Sequence, residues 1–218
     1  MSLDALIFDI DGTLSDTDPT HYLAWQDEAA KHGLDLSRET YMTQMSGRLN
    51  SDIIRDFFPQ LSDEEVKAFD VNKEARYREL ATTLEPLPGL RELITFAKEQ
   101  GWGLAAVTNG THLNAWHNVR ALDLEEMLEH VITPELVRNA KPHPEPYLLA
   151  AERLGVEPQK TLVFEDSPSG VKSALAAGAQ VIGMTTGQAA EDLLKLGVSL
   201  AIADFTDERL WSRLQQLT

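Results

Sequence analysis

From Gly89 onward, apolar runs of three to five residues alternate with segments of helical period, and this rhythm narrows the fold more than any other feature. Gly103–Val107, Thr161–Phe164, Gln180–Met184 and Leu200–Ala203 read as strands, with His130–Thr133 a weaker one. Between them lie helical segments: Leu90–Glu99 stopped by Gly101, a helix through Trp116 and Val119, Pro144–Leu154 up to Gly155, Gly170–Ala177 with Gly178 as its stop, and Glu191–Leu196. Strands separated by helices of this length pair in parallel, through right-handed crossovers. Ala5–Phe8 supplies one more buried strand near the start of the chain. The predicted class is therefore α/β, a doubly wound parallel sheet built from residues 1–15 and 84–218.

Residues 16–83 break the rhythm. Tyr22, Trp25 and Ala29 recur at helical spacing before Gly33, and Ser37 or Asp35 is placed to cap a helix through Tyr41 and Met45 that breaks at Ser46-Gly47. Asp52–Phe58, ended by Pro59, and Asp63–Leu80, with Ser62 as N-cap, follow. No alternation of period two occurs here, so the segment is expected to be a small all-helical insert, a cap domain after the first strand. It leaves the sheet at its ligand-binding edge, where an insert can serve as a lid. Met42 and Met45 are expected to fill its core, and Trp102, Trp116 and Trp211 to pack rather than to recognise a ligand.

Nineteen basic against 35 acidic residues leave a formal charge of −16, which argues against a nucleic-acid surface and against docking on anionic membrane. No apolar run is long enough to span a bilayer and Met1–Asp4 has no basic n-region, so a cytoplasmic protein without a signal peptide is expected, and Asn109-Gly110-Thr111 is a sequon by coincidence. The chain has no cysteine, so a thiolate nucleophile is excluded and any metal must be held by oxygen or imidazole. No histidine spacing suggests zinc. A monomer is the default expectation.

Chemistry gathers at the strand ends. Asp9 and Asp11 follow the first strand at i, i+2, Thr108-Asn109 the second, and Glu165-Asp166 the fourth, while Lys141 lies in the loop K-P-H-P-E-P-Y. Asp11-Gly12 alone reads equally as a turn closing a strand. In a parallel sheet, however, these ends share one crevice. Four clustered carboxylates repel one another unless a cation compensates them, and a hard divalent ion, Mg²⁺, takes oxygen ligands of this kind. Such an ion would also let so acidic a protein receive an anionic substrate.

The segments F-D-I-D-G-T-L, V-T-N-G, the Lys of K-P-H-P-E-P-Y, and V-F-E-D-S-P-S-G-V, in that order, resemble the four motifs of the haloacid dehalogenase (HAD) superfamily. Within it they are most similar to the subgroup of β-phosphoglucomutase and phosphoglycolate-type phosphatases. The resemblance implies a Rossmann-like core with an inserted cap. It implies Asp9 as the nucleophile that forms an aspartyl-phosphate, and Asp11 as general acid and then base. Asp9, Asp166 and the Asp11 carbonyl would hold Mg²⁺, with Glu165 a ligand or an orienting group. Thr108, the Asn109 backbone N–H and Gly110 of the same turn would hold phosphoryl oxygens, and Lys141 would neutralise charge on the nucleophile and the transferring group. Gly170 would let its helix approach the site closely.

In the insert, D-T-D-P-T-H-Y-L-A-W resembles the start of the family's cap, where Thr17, His21 and Trp25 match residues flanking the site. Arg48 suits a distal anion and Asn50 sugar hydroxyls. The sugar-phosphate mutases carry a different loop at S-G-R-L-N, and Ser and Lys where this chain has Gly110-Thr111. The expected function is thus a Mg²⁺-dependent phosphatase acting on a small phosphorylated metabolite. The alternatives are a β-phosphoglucomutase-type phosphotransferase and, more remotely, an idle protein that keeps the fold.

Overall fold

A computed structural model describes residues 2–46 and 48–217; Gly47, half of the expected Ser46-Gly47 helix break, lies outside the described residues. In chain order the elements are β1 (Ala5–Phe8), α1 (Asp18–Lys31), α2 (Arg38–Thr40), α3 (Asn50–Phe57), α4 (Asp63–Leu80), α5 (Leu90–Glu99), β2 (Gly103–Val107) and α6 (His112–Ala121). Then come β3 (His130–Ile132), α7 (Glu145–Leu154), β4 (Thr161–Glu165), α8 (Pro168–Ala176), β5 (Gln180–Met184), α9 (Ala190–Leu196), β6 (Leu200–Ile202) and α10 (Glu208–Leu217). The chain divides into two compact units, residues 1–16 with 84–218, and residues 17–83.

The first unit is the α/β body. Its six strands lie in the order β3-β2-β1-β4-β5-β6, every neighbouring pair parallel. Register explains why the strands are continuously apolar. Leu6 faces Leu104 and Leu162 across the ladder, and Ile7 faces Ala105 and Val163. The first trio enters one buried cluster and the second another, so helices cover both faces of the sheet. Phe8 and Phe164 stack at 5.2 Å between centroids, and Phe205 closes on both edge-on. Trp102 is buried in the first cluster, with Trp116 and Trp211 packed against it.

Several element ends differ from the sequence reading by a residue or two, and two differences bear on the packing. α8 begins at Pro168 rather than Gly170, because Ser167 caps it by accepting from the Gly170 N–H at 3.1 Å and proline suits the first helical position. α10 was not anticipated, although Leu210 and Leu214 form its buried stripe.

The second unit is all-helical. Trp25, Phe58 and Phe69 pack ring against ring, with Met45 buried among them and Met42 against their cluster. Ser62 and Glu65 form a reciprocal capping box at the start of α4. Ser37 caps α2, accepting from the Thr40 N–H at 3.1 Å. The helix then widens into a π turn over Tyr41–Met45, which gives the Tyr41 hydroxyl and Ser46 a common acceptor in Asp18.

Candidate active site

β1 lies between β2 and β4, so the residues that follow these three strands are neighbours in space. The ladder runs one residue past β1, where the Asp9 N–H donates to Phe164 O at 2.9 Å; beyond β2, Thr108 N–H donates to Ile132 O at 3.0 Å. Four of the expected residues meet on this scaffold: Asp9, Lys141, Glu165 and Asp166.

Lys141 is their hub. Its ammonium is buried and donates to Asp9 Oδ1 at 2.6 Å, Val107 O at 2.8 Å and Glu165 Oε1 at 2.5 Å. Those three acceptors use the three protons of the group. Its backbone is fixed as well: the Asn109 side chain accepts from Lys141 N–H at 3.1 Å and donates to Lys141 O at 3.2 Å. Burial alone would lower the lysine's affinity for its proton, but Asp9 and Glu165 outweigh that and hold it above its ordinary value. Asp9 is pushed up by burial, with Lys141 pulling the other way.

Glu165 has no exposed surface and every oxygen is engaged. Oε1 accepts from Lys141 and from the Tyr147 hydroxyl at 2.7 Å; Oε2 accepts from Ser167 N–H at 3.2 Å and Ser167 Oγ at 3.1 Å. The Tyr147 ring also lies 5.1 Å beneath the ammonium, and burial, with Glu165 beside it, raises its hydroxyl well above the usual phenol range. A Cβ at Gly170 would fall 1.7 Å from Glu165 Oε1, so only glycine leaves room for this carboxylate.

Asp166 sits against Gly12. A Cβ there would come 2.3 Å from Asp166 Oδ2, and the φ of +79° is one that glycine adopts freely. Asp9, Glu165 and Asp166 each offer an oxygen within 4.8 Å of the others. Three carboxylates against one ammonium leave negative charge uncompensated, so the donor set fits a hard divalent cation. No histidine joins a group of this kind among the described residues.

Asp11 is half-buried, and its Oδ1 accepts from Asn118 Nδ2 at 3.0 Å. The Thr108 hydroxyl accepts from Gly110 N–H at 2.8 Å, which closes the turn after β2. Thr108 Oγ1 and Asp11 Oδ2 both lie near Gly110, at 3.2 and 3.4 Å from where its Cβ would be.

The other expected residues belong to the helical unit, and their side chains are engaged within it. Arg48 pairs with Asp56 and donates to Gln44 O at 2.8 Å. Asn50 donates to Asp70 Oδ1 at 2.7 Å and to Glu74 Oε1. His21 stacks on Tyr77 at 3.9 Å and meets the buried Lys73 ammonium at 3.0 Å through Nδ1, while Lys73 also bonds Glu74 at 2.8 Å. Thr17 is buried, and Trp25 lies in the unit's hydrophobic core. Residue-level reading missed Asn118, Tyr147, Ser167 and the side-chain role of Asn109. Tyr147 stood in the K-P-H-P-E-P-Y loop without a role.

The description of haloacid dehalogenase-like hydrolase fits residues 3–178 by a family model. Among curated proteins, the phosphorylated carbohydrates phosphatase of Thermotoga maritima is 36% identical over 83% of this chain and 84% of its own length. Hexitol phosphatase A of Escherichia coli is 33% identical over 84% of each. Among solved structures, a HAD hydrolase of family IA, variant 3, from Entamoeba histolytica superposes with a TM-score of 0.89 at 28% identity, covering 98% of this chain and 100% of the other. No helix among the described residues is long and apolar enough to cross a membrane. With its motif residues gathered on the matching sheet and relatives that are named phosphatases, the chain belongs to the haloacid dehalogenase-like hydrolases, an enzyme family.

Proposed function

We propose that the chain is a Mg²⁺-dependent phosphatase of a small phosphorylated carbohydrate, working through an aspartyl-phosphate at Asp9. The observation that carries this reading is the buried Lys141 ammonium held between Asp9 and Glu165, beside a carboxylate cluster suited to a divalent ion. The names of the relatives, phosphatases of phosphorylated carbohydrates and hexitols, support the substrate class.

In this reading an Asp9 oxygen attacks phosphorus as the bond to the sugar oxygen breaks, and Asp11 gives that oxygen a proton. Asp11 then takes a proton from water, whose oxygen attacks phosphorus and releases Asp9 and inorganic phosphate. Lys141 offsets charge on Asp9 and on the phosphoryl oxygens, which the turn Thr108-Asn109-Gly110 receives. Glu165, saturated by its own hydrogen bonds, orients Lys141. Asp9, Asp166 and the Asp11 main-chain carbonyl would hold Mg²⁺, which when bound supplies positive charge against the carboxylates and the phosphate. Residues 17–83 act as the cap that selects the sugar, with His21, Arg48 and Asn50 among its polar groups.

The test is a panel of hexose, hexitol and pentose phosphates incubated with Mg²⁺, with free phosphate and isomeric sugar phosphate both measured. Stoichiometric free phosphate, lost in Asp9→Asn, is expected. Isomer with little free phosphate would replace the reading with a phosphomutase, and turnover by Asp9→Asn would remove the mechanism.

A further inference from the structure

The inner face of α6 carries Ala115 and Val119 into the hydrophobic core, yet Asn118 stands beside them with no exposed surface. A buried amide is costly unless it is hydrogen-bonded, whereas leucine or alanine there would carry no such cost. The Asn118 donor is aimed at Asp11 Oδ1, 107 residues away in sequence and 3.0 Å in space. Asp11's other oxygen, Oδ2, is turned toward the 108–110 turn, where it approaches Gly110 near the Thr108 hydroxyl.

We propose that Asn118 is a positioning residue that reserves Asp11 Oδ1 as an acceptor and so makes Oδ2 the oxygen that carries the catalytic proton. The inference rests on the phosphatase reading above and deepens it. An amide N–H donates to Oδ1 whether Asp11 is ionised or protonated, so the same bond persists through both halves of the reaction. In the first half the phosphorus–oxygen bond to the sugar breaks, its electron pair stays on the sugar oxygen, and that oxygen takes the proton from Oδ2. In the second half Oδ2 takes a proton from water as the water oxygen bonds to phosphorus and the Asp9–phosphorus bond breaks. Without the amide, Oδ1 loses this donor, and the carboxylate is held less firmly with Oδ2 on the side of the phosphate turn.

Leaving-group dependence separates positioning from mere structure. kcat/KM reports only steps through loss of the leaving group. An alkoxide needs the Asp11 proton to leave, while p-nitrophenolate leaves without it. In Asn118→Leu, kcat/KM for a hexitol or hexose phosphate should fall about 30- to 100-fold, a share of what general acid catalysis supplies. For p-nitrophenyl phosphate, kcat/KM should stay within about threefold while kcat and KM fall together, because Asp11 is still needed as the base for water. Asn118→Ala, which removes the donor without adding a charge, is the second variant, should leucine fail to fold. Equal losses of kcat/KM on both substrates, or no loss on the sugar phosphate, would overturn the proposal. If instead the parent chain, or Asp9→Asn, departs from the behaviour set out for the phosphatase, the earlier reading fails and the bond's role falls with it.

Discussion

Replacing Gly170 by alanine sets two effects against each other. Gly170 is the third residue of α8, and in an ordinary helix position this change stabilises by about 0.5–1 kcal/mol. Here the new Cβ would lie 1.7 Å from Glu165 Oε1 and 1.9 Å from its Cδ, where ordinary contact begins near 3.4 Å. The carboxylate would have to withdraw by more than an ångström, and it is pinned by Lys141, Tyr147 and Ser167. Loss of one or two hydrogen bonds to a charged group costs about 1.5–3 kcal/mol each, and overpacking about 1–3 kcal/mol. Net of the helix gain, Gly170→Ala should destabilise by about 3 kcal/mol, a fall of roughly 6–12 °C in melting temperature for a chain of this size. Urea unfolding followed by circular dichroism checks this: the midpoint falls and the slope stays. Phosphate release should drop at least about tenfold, since Lys141 loses its anchor. In a Glu165→Ala background the same substitution should cost nothing, because the clashing group is gone. A Gly170→Ala protein as stable and as active as the parent would refute the described packing of Glu165.

Tyr147→Phe keeps the ring under Lys141 and removes one donor to Glu165; a cost of about 1.5–3 kcal/mol and a lower kcat at near-constant KM are expected, and an unchanged urea midpoint would contradict the hydrogen bond. EDTA should abolish phosphate release while far-UV dichroism holds, and added Mg²⁺ should restore it; full activity in EDTA would exclude the metal. In the helical unit, burial pushes Glu74 up, but the charges of Lys73 and His21 prevail and hold it below its ordinary value. A carboxylate lowered in this way stabilises the fold above its unfolded value and loses that benefit as pH falls through the folded one. Below about pH 4.5 the parent's urea midpoint should therefore drop more steeply than that of Glu74→Gln. Parallel curves would count against the Lys73–Glu74 pair.

Much of the body was legible because its signals are local. Gly103–Val107 and Gln180–Met184 are apolar runs bounded by turn residues, and they became strands with those same limits. Ser62 ahead of Asp63 marked the start of α4. Asp9, Glu165 and Asp166 could be gathered by reasoning because parallel topology brings strand ends together whatever the packing, whereas Lys141, in the loop before α7, was carried by its motif. The rest depended on packing. Asn118 looks like any polar helix residue until α6 is laid beside the Asp11 loop. The Asn109 side chain clamps a lysine 32 residues away, and Tyr147 meets Glu165 across two elements. Arg48 and Asn50 are expected to face a ligand, and each also has an acidic partner in its own unit that no spacing rule reveals. The π turn at Tyr41–Met45 escaped because its five-residue spacing has no sequence signature that the helical period would show.

The central claim is that Asp9 becomes phosphorylated. Mixing the protein with a turned-over sugar phosphate and Mg²⁺, quenching in acid within milliseconds and mapping the phosphorylated peptide by mass spectrometry tests it directly. One phosphoryl group on Asp9 is expected, absent in Asp9→Asn; with p-nitrophenyl phosphate in place of the sugar phosphate it should accumulate in Asp11→Asn, where loss of the aryl leaving group continues but attack by water is slowed. Rapid turnover with no phosphorylated peptide, or with the phosphoryl group on another residue, would contradict it.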